Sequence, residues 1–549
     1  MRQLICAIFF VLYCDICFAA DQSVTQPIKN KAWKNLDHSL TSPSIIDNLI
    51  ENDLKLFNKK KTQLCSDHDF YRRVSLDLTG LLPTPDHLDE FLKNRDVDKR
   101  KKLINKLLDS PDFPKYWGHY WTEVIAAKVS DKRGLRAYEP FQKWMTAQIK
   151  KNTPWDQVAH DIITAVGQVI PSEKKGQYIG KGPTFLMMAH LGPDAPIERA
   201  SEVSRIFLGI QIQCAQCHDH KTDIWKREQF HEFAAYFSRT SHKVAFAKSD
   251  FSKSKGFGFR IFGNDNGEHM MSSLSDPSKS SLVHPKFLDG KPGPKNATDK
   301  VRRESVAKSI TSKNNPWFAA AYVNRVWGKL LGQGFAQPID DIGPNKDFVQ
   351  QKAFLRLAGA FQALNYDCKE FLRLVLNTEA YQRNILIGDT QYEHLLFAGL
   401  YPARLDAYSL IGSLNSALDL TSGKSSSGKR VLFEGGFRKN FENEFDYDPS
   451  LPPDEVESSM AQALFMINNV RIDQIIQYKT SSFLENLLKE YPDDEKALSA
   501  LFIKVLCRFP VEFEKVKFQN YLLKSKKRNE GFEDILWALI NTTEFQSRR

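Results

Sequence analysis

The feature that most constrains the fold is a recurring helix-start signature, in which a capping residue directly precedes a proline. The cap side chain accepts a hydrogen bond from a backbone N–H that would otherwise be unpaired, and proline has no N–H to lose. The pairs are Thr84-Pro85, Ser110-Pro111, Thr153-Pro154 and Asn315-Pro316. Their spread along the 549 residues predicts a mainly α-helical protein.

Apolar residues recur at helical spacing between these starts. Three such groups are Leu103, Leu107 and Leu108; Phe230, Phe233, Ala234 and Phe237; and Leu498, Leu501 and Val505. The stretch from Tyr71 to Leu78 fits a helix or a short alternating strand, and we favour the helix. With 42% hydrophobic residues, a chain of this length can form two or more domains with ample cores.

The composition changes between about Ser241 and Lys300, where Ser, Lys, Gly, Asp and Pro accumulate. Such a stretch cannot sustain long helices, so we predict an irregular insert at residues 246–300. It is either a loop excursion or a few short strands around Phe257 to Phe262 and Leu282 to Phe287. The insert separates two helical domains, predicted at residues 40–245 and 301–549.

Residues 1–20 have the pattern of a signal peptide. Met1 and Arg2 supply a charged start, Leu4 to Leu12 are almost wholly apolar, and small residues precede Asp21. Beyond residue 20 no run approaches the roughly 20 apolar residues of a membrane-spanning helix. We therefore expect a periplasmic or secreted protein whose mature chain has no transmembrane helix.

The segment Cys214-Ala215-Gln216-Cys217-His218 has the Cys-x-x-Cys-His spacing of a c-type haem attachment site. Each thiol adds to one vinyl group of the porphyrin, and the imidazole of His218 becomes the proximal iron ligand. This predicts haem c as the cofactor, held by Cys214, Cys217 and His218. The sixth iron position is open to six candidates: Met187, Met188, His190, His231, His269 and Met270.

Two other uses of the same atoms stay open. A non-haem zinc or iron ion has a candidate donor set in Cys217, His218, His220 and Asp223, although a structural zinc site usually draws on a second paired cluster, which this chain lacks. A disulfide or redox dithiol is the other alternative. Thioredoxin-like motifs follow a strand, whereas the residues before Cys214 are typical of a helix.

The formal net charge of +10 would suit nucleic acid, but export disfavours that partner. An anionic glycan or an anionic surface fits better, and solvated helix faces explain the charge most simply. An electron-transfer protein is the partner that a haem would require. The adjacent pair Asp340 and Asp341 is better explained by a cap or a contact with Arg325 than by paired-carboxylate catalysis, because adjacent side chains diverge.

Several motifs together resemble a known family. Phe70 to Pro85 (FYRRVSLDLTGLLPTP), Phe207-Leu208-Gly209 and Cys214 to His220 (CAQCHDH) resemble the planctomycete cytochrome-like secreted domain, domain of unknown function 1549. The motifs NPWFA, VNRVW, GQG and PIDD, between Asn315 and Asp341, look like its usual companion, domain of unknown function 1553.

The resemblance implies an exported, cytochrome-like protein with a Cys-x-x-Cys-His site and no established reaction. It also implies a place near extracellular glycan use, by analogy with the secreted systems of such bacteria. The chain departs from the family where Lys221 to Trp225 (KTDIW) stand in place of the usual His-Pro-Phe. The backbone just after the motif is therefore expected to differ.

Overall fold

The structure is a computed structural model that describes residues 25–174, 176–246, 256–276, 278–386, 396–420, 435–451, 455–456, 459–480 and 482–548. These residues are mainly α-helical with small antiparallel sheets, which confirms the predicted fold class. The signal-peptide pattern at residues 1–20 lies outside them. No helix in the described ranges is both long and apolar enough to cross a membrane.

The described residues divide into two compact units, each drawn from separate stretches of the chain. Unit 1 comprises the described residues within Met1–Lys61, Gly118–Thr378 and Gln391–Ala398, and unit 2 those within Thr62–Trp117, Glu379–Thr390 and Gly399–Arg549. Helix Phe113–Ala126 contributes residues to both. Each unit therefore combines residues from before and after the insert that the composition predicts.

Unit 1 is built mainly from eleven described α-helices and several 3₁₀ turns. The α-helices are Asn30–Lys34, Pro43–Leu56, Tyr138–Lys151, Trp155–Thr164, Phe185–Met188, Ala195–Leu208, Arg227–Ala234, Asp299–Thr311, Pro316–Leu331, Gln351–Ala363 and Cys368–Leu376. The 3₁₀ turns are Lys132–Ala137, Gly182–Thr184, Gln213–Gln216 and Ala235–Phe237. Large aromatic rings fill the interior: the Trp121 and Trp155 ring centroids lie 4.1 Å apart, and Tyr322 stacks on Phe361 at 4.3 Å.

A four-stranded antiparallel sheet also belongs to unit 1. Its strands, in spatial order, are Tyr178–Gly180, Gly167–Pro171, Gly258–Gly263 and Thr240–Ala245. Two-stranded antiparallel pairs join His269–Ser272 to Ser280–Val283, and Gln26–Pro27 to Asp347–Phe348. The strand expected around Phe257 to Phe262 is confirmed. The second one ends at Val283 rather than continuing to Phe287, because Pro285 has no N–H for a strand ladder.

Unit 2 contains thirteen described helices and one short strand pair. The helices are Asp67–Thr79, Pro85–Lys93, Lys99–Leu108, Glu379–Gln382, Ala407–Ala417, Gly435–Phe445, Met460–Asn468, Val470–Ile476, Phe483–Glu490, Asp494–Leu506, Glu512–Lys524, Arg528–Ile540 and Thr543–Gln546. The strands Ala403–Arg404 and Ser547–Arg548 pair antiparallel. The preference for helix over Tyr71 to Leu78 is confirmed.

Two adjacent buried arginines of helix Asp67–Thr79 organise unit 2. The Arg72 guanidinium donates to the carbonyl oxygens of Glu544, Phe545 and Ser547 at 2.9–3.1 Å. Arg73 donates to the carbonyl oxygens of Tyr381 and Arg383 at 2.8 and 2.9 Å. The acceptors lie within or directly after the short helices Glu379–Gln382 and Thr543–Gln546, which have similar sequences. Helix Asp67–Thr79 therefore binds the backbone of both short helices through two adjacent arginines.

The predicted helix starts hold at two of the four pairs. Thr84 and Asn315 accept hydrogen bonds from His87 and Trp317 backbone N–H groups, and their helices begin at the following proline. At Ser110-Pro111 the serine oxygen accepts from the N–H groups of Asp112 and Phe113, and the α-helix begins at Phe113. At Thr153-Pro154 the proline itself is the cap of helix Trp155–Thr164.

Candidate functional site

In unit 1, the Cys-x-x-Cys-His segment follows helix Ala195–Leu208 after a tight turn at Gly209. The helix ends at Gly209, whose φ of 61° lies in the left-handed region that glycine adopts without strain. The Gly209 carbonyl oxygen accepts a 2.6 Å hydrogen bond from the Ile342 N–H. Ile210 and Ile212 are buried, so the chain is fixed to the core immediately before the first cysteine.

The motif forms a 3₁₀ turn over Gln213–Gln216. Cys214 lies within this turn and Cys217 is the residue that follows it, three positions later, while Ala215 between them is buried. Both cysteines are exposed, whereas Cys65, Cys368 and Cys507 are buried. Burial raises the pKa of the Cys368 and Cys507 thiols to about 12. Among the described cysteines, the motif pair therefore supplies the accessible thiols.

His218 and His220 differ in whether a ring nitrogen is available to bind a metal. A carbonyl oxygen only accepts, so His218 donates through Nδ1 to the Asp219 carbonyl oxygen at 2.7 Å. In the neutral ring this leaves the lone pair on Nε2, the arrangement of a metal-ligating histidine. His220 donates through Nε2 to the Gln211 carbonyl oxygen at 3.2 Å, and its Nδ1 accepts from the Thr222 N–H at 3.3 Å. Both His220 nitrogens are thus engaged.

Asp219 closes the turn that follows the motif. Its carboxylate accepts hydrogen bonds from the Lys226 ammonium at 2.7 Å and from the Arg227 N–H at 3.2 Å, at the start of helix Arg227–Ala234. These contacts lower the pKa of Asp219. The carbonyl oxygen of buried Trp225 accepts from the His220 N–H at 2.8 Å. The stretch that departs from the family pattern therefore folds back onto the motif.

The Asp223 carboxylate is not arranged as the ligand that a non-haem metal site would require. Its Oδ1 accepts from the Ile224 N–H at 2.7 Å, while its Oδ2 is buried with no hydrogen-bond partner among the described residues. Burial raises the pKa of this carboxyl group. A side chain at Gly343 would overlap Oδ2, so Asp223 lies against that glycine. Within the described ranges, no group of three or more His, Cys, Asp or Glu side chains is arranged to hold a metal ion.

The six candidates for the sixth iron position lie in different surroundings. Met187 and Met188 are buried in the core, and Met270 is half exposed on a strand. His190 is buried, with Nδ1 2.9 Å from the Ser130 hydroxyl. His231 and His269 contact each other. Of the six, His231 alone is hydrogen-bonded to residues 214–218 in the described part of the chain, through the Gln216 carbonyl oxygen.

A buried ionic cluster anchors the residues just before the motif. The Gln211 side-chain amide donates to Asp340 Oδ1 at 2.6 Å. Asp340 Oδ2 accepts from Arg205 at 3.0 Å and lies 3.4 Å from Arg325. Arg205 also forms a 2.7 Å ion pair with Glu202. Burial alone would raise the pKa of Asp340, but Arg325 and Arg205 hold it at about 2.

This cluster includes residues whose role the sequence does not reveal. The contact between Asp340 and Arg325 agrees with the expected explanation of the aspartate pair. Arg205 and Gln211 were not identified as site residues, because their partner lies about 130 positions away along the chain. No local pattern encodes such a contact.

A pair of buried histidines, His231 and His269, contacts the motif through the Gln216 carbonyl oxygen. His231 Nε2 lies 3.0 Å from the Gln216 carbonyl oxygen and must donate to it, so its Nδ1 accepts from Nε2–H of His269 at 2.8 Å. Burial lowers the pKa of His231 and lowers that of His269 to about 4. Both rings are therefore neutral at pH 7, and protonation of His231 Nδ1 would set two donors against each other.

We expect acid to destabilise the protein through this pair. The unfolded histidine binds a proton near pH 6.5, before folded His269 does, so the stabilisation is complete above pH 6.5 and is lost as the pH falls towards 4. Each uncompensated proton costs at most about 1.4 kcal/mol per pH unit in this window. Urea unfolding at pH 7.5 and pH 5.0 measures the loss. His269→Gln, which cannot titrate, should show a smaller change between the two pH values; an equal change would contradict the assignment.

Comparisons with protein families agree with the motifs. Residues 45–242 match a protein of unknown function, DUF1549, and residues 302–432 match a second protein of unknown function, DUF1553. Neither the curated proteins nor the solved structures include a significant match. Arg205, Gln211 and the two motif cysteines lie in the first match, and Arg325 and Asp340 in the second. The chain therefore belongs to the proteins in which a DUF1549 domain is followed by a DUF1553 domain.

Proposed function

We propose that the protein is an exported redox protein that carries one covalently attached haem c. Cys214 and Cys217 would hold the porphyrin through thioether bonds, and His218 would be a ligand of its iron. When bound, the haem supplies one-electron transfer to a partner protein. The location outside the cytoplasm rests on the signal-peptide pattern of residues 1–20.

One observation carries the proposal. Two exposed cysteines three residues apart lie in a 3₁₀ turn and directly after it, and the next residue is a histidine whose Nδ1–H donates to a backbone carbonyl. This is the donor set that haem c requires, and the hydrogen bond from His218 Nδ1 to the Asp219 carbonyl oxygen selects the tautomer with Nε2 available to iron. His220 and Asp223 have their polar atoms committed or buried, which favours haem over the four-residue non-haem site.

The surroundings of the motif determine how such a haem would behave. Cys214, Cys217, His218 and Asp219 are all exposed, so these residues would hold the haem at the surface of the protein. Asp219, directly after His218, forms an ion pair with Lys226. An exposed haem edge permits direct contact with an electron partner, and solvent exposure is one of the factors that set the reduction potential.

Expression of the full chain in a host with cytochrome c maturation factors tests the proposal. We expect a Soret band and haem staining that survives denaturing electrophoresis. Cys214→Ser with Cys217→Ser should abolish the covalent staining, because no thiol remains to form a thioether. The matched control, Cys65→Ala with Cys507→Ala, should retain it. His218→Ala should shift the Soret band, whereas His220→Ala should leave it unshifted.

Absence of a Soret band in the wild-type protein would refute the haem assignment. Two measurements then separate the alternatives. Stoichiometric zinc or iron in the purified protein would indicate the non-haem site. A mass that rises by about two daltons on reduction, lost in the Cys214→Ser variant, would indicate a disulfide.

A further inference from the structure

Helix Glu512–Lys524 in unit 2 has apolar side chains on two opposite faces. On the inner face Leu522 is buried, and the Phe518 ring lies 5.8 Å from that of Phe502. The helix packs there against its neighbours Asp494–Leu506 and Arg528–Ile540. A helix that is apolar only on its inner face would need no other partner. The outer face of this helix does not follow that pattern.

The outer face consists of Phe513, Val516 and Leu523, which we call the Phe513 face. The fractions of these side chains exposed are 74%, 49% and 85%. Their spacing of three and seven residues places them in one stripe along the helix, on the side away from Phe518. Single exposed apolar residues are ordinary, but an aligned stripe with a phenylalanine and a leucine exposes a continuous apolar surface.

Lysines border this stripe. Lys517 and Lys524 follow Phe513 by four and eleven residues and lie beside it on the helix, and Lys526 follows two residues after the helix ends. The Lys517 ammonium is 5.9 Å from the centre of the Phe513 ring. None of these three lysines has an ion-pair partner among the described residues, whereas Lys515 pairs with Glu495 and Lys527 with Glu530. The edge of the face that these lysines form is therefore positively charged, while the acidic Glu512, four residues before Val516, lies at the other edge.

We propose that the Phe513 face docks on an anionic lipid bilayer, with the helix lying in the plane of the interface. Phe513, Val516 and Leu523 would enter the boundary between headgroups and acyl chains, and Lys517, Lys524 and Lys526 would contact anionic headgroups. The charge selects this occupant. A second copy of the chain would bring like charges together, and a soluble polyanion would neutralise the lysines but leave the apolar stripe uncovered. The proposal does not depend on haem attachment.

Co-sedimentation of the full chain with lipid vesicles tests the docking. We expect binding to vesicles of phosphatidylcholine with phosphatidylglycerol, and at least tenfold weaker binding to phosphatidylcholine alone or in about 0.5 M salt, where surface charges are screened. Replacing Phe513, Val516 and Leu523 together by alanine should weaken partitioning roughly tenfold or more, because each buried CH₂ contributes to membrane affinity.

Matched variants separate this surface from general stickiness. Val97→Ala, Met460→Ala and Val470→Ala together remove three exposed apolar side chains elsewhere in unit 2 and should leave partitioning unchanged. Lys517→Gln, Lys524→Gln and Lys526→Gln together should weaken binding at low salt. The same change at Lys101, Lys106 and Lys128, which are exposed on other helices or turns, should not. All sets alter exposed side chains, so their thermal midpoints should match the wild type.

Three results would overturn the proposal. The first is no binding of the wild-type chain to anionic vesicles. The second is equal binding by the wild type and the Phe513-face alanine variant, with comparable capture by dextran sulfate, which would indicate a polyanion site that uses the lysines alone. The third is concentration-dependent dimerisation in analytical ultracentrifugation that disappears in the alanine variant, which would show that a second copy covers the face.

Discussion

Replacing Arg205 by methionine is expected to lower the free energy of unfolding by about 3–5 kcal/mol, the usual cost of breaking a buried ion pair by removing one partner. Arg205 and Asp340 are each only 2% exposed, and Glu202 is also buried. Methionine fills similar volume but donates no hydrogen bond, so it leaves buried carboxylates without their shared cation. Urea unfolding at pH 7 measures the change.

Two further variants define what the measurement means. Neutralising the acids as well, in Arg205→Met with Glu202→Gln and Asp340→Asn, should recover part of the loss, since whole buried ion clusters can be replaced at little cost. Arg133→Met removes an arginine from an exposed pair with Asp131 and should leave the unfolding midpoint unchanged. Equal midpoints for Arg205→Met and Arg133→Met would contradict a stabilising role for the cluster.

The second large effect is expected at the adjacent arginines of unit 2. Arg73→Met leaves the carbonyl oxygens of Tyr381 and Arg383 without their charged donor, and Arg72→Met does the same for Glu544, Phe545 and Ser547. Hydrogen bonds to charged groups contribute about 1.5–3 kcal/mol each, so each variant should lose roughly 3 kcal/mol or more. Lysine should not restore the stability, because it lacks the planar fork that reaches several carbonyls.

Hydrogen exchange distinguishes the two arginines. Arg72→Met should increase exchange most around residues 543–548, and Arg73→Met most around residues 379–383. Arg438→Met, which removes an exposed i,i+4 pair with Glu442, is the control and should change neither region. The same exchange pattern in both variants would show that the substitutions destabilise unit 2 in general, rather than releasing two separate segments.

Local sequence patterns predict a helix start correctly where its cause lies within a few residues. The caps at Thr84 and Asn315 satisfy N–H groups two or three positions away. The strand Gly167–Pro171 was not predicted, because it depends on pairing with Gly258–Gly263 about ninety residues later. Its own sequence, GQVIP, contains glycine and proline, which strands disfavour.

The candidate site divides in the same way. The spacing of Cys214, Cys217 and His218 is a local property and identified the segment. The difference between His218 and His220 is not local, because it depends on which carbonyl oxygen each ring reaches, and His220 reaches that of Gln211. No local pattern predicts the contact between His231 and His269 either, because one lies on a helix and the other on a strand 38 residues later.

The ionic contact between Arg205 and Asp340 has a consequence for how such genes can be cut and recombined. The arginine is encoded within the first family match and the aspartate within the second, yet both side chains lie in the interior of the same compact unit. A fragment that stops at residue 242 would retain the cation and lose one of its two counter-ions. Exchange of either segment between relatives would therefore succeed only when the resulting chain still pairs a cation at the position of Arg205 with an acid at the position of Asp340.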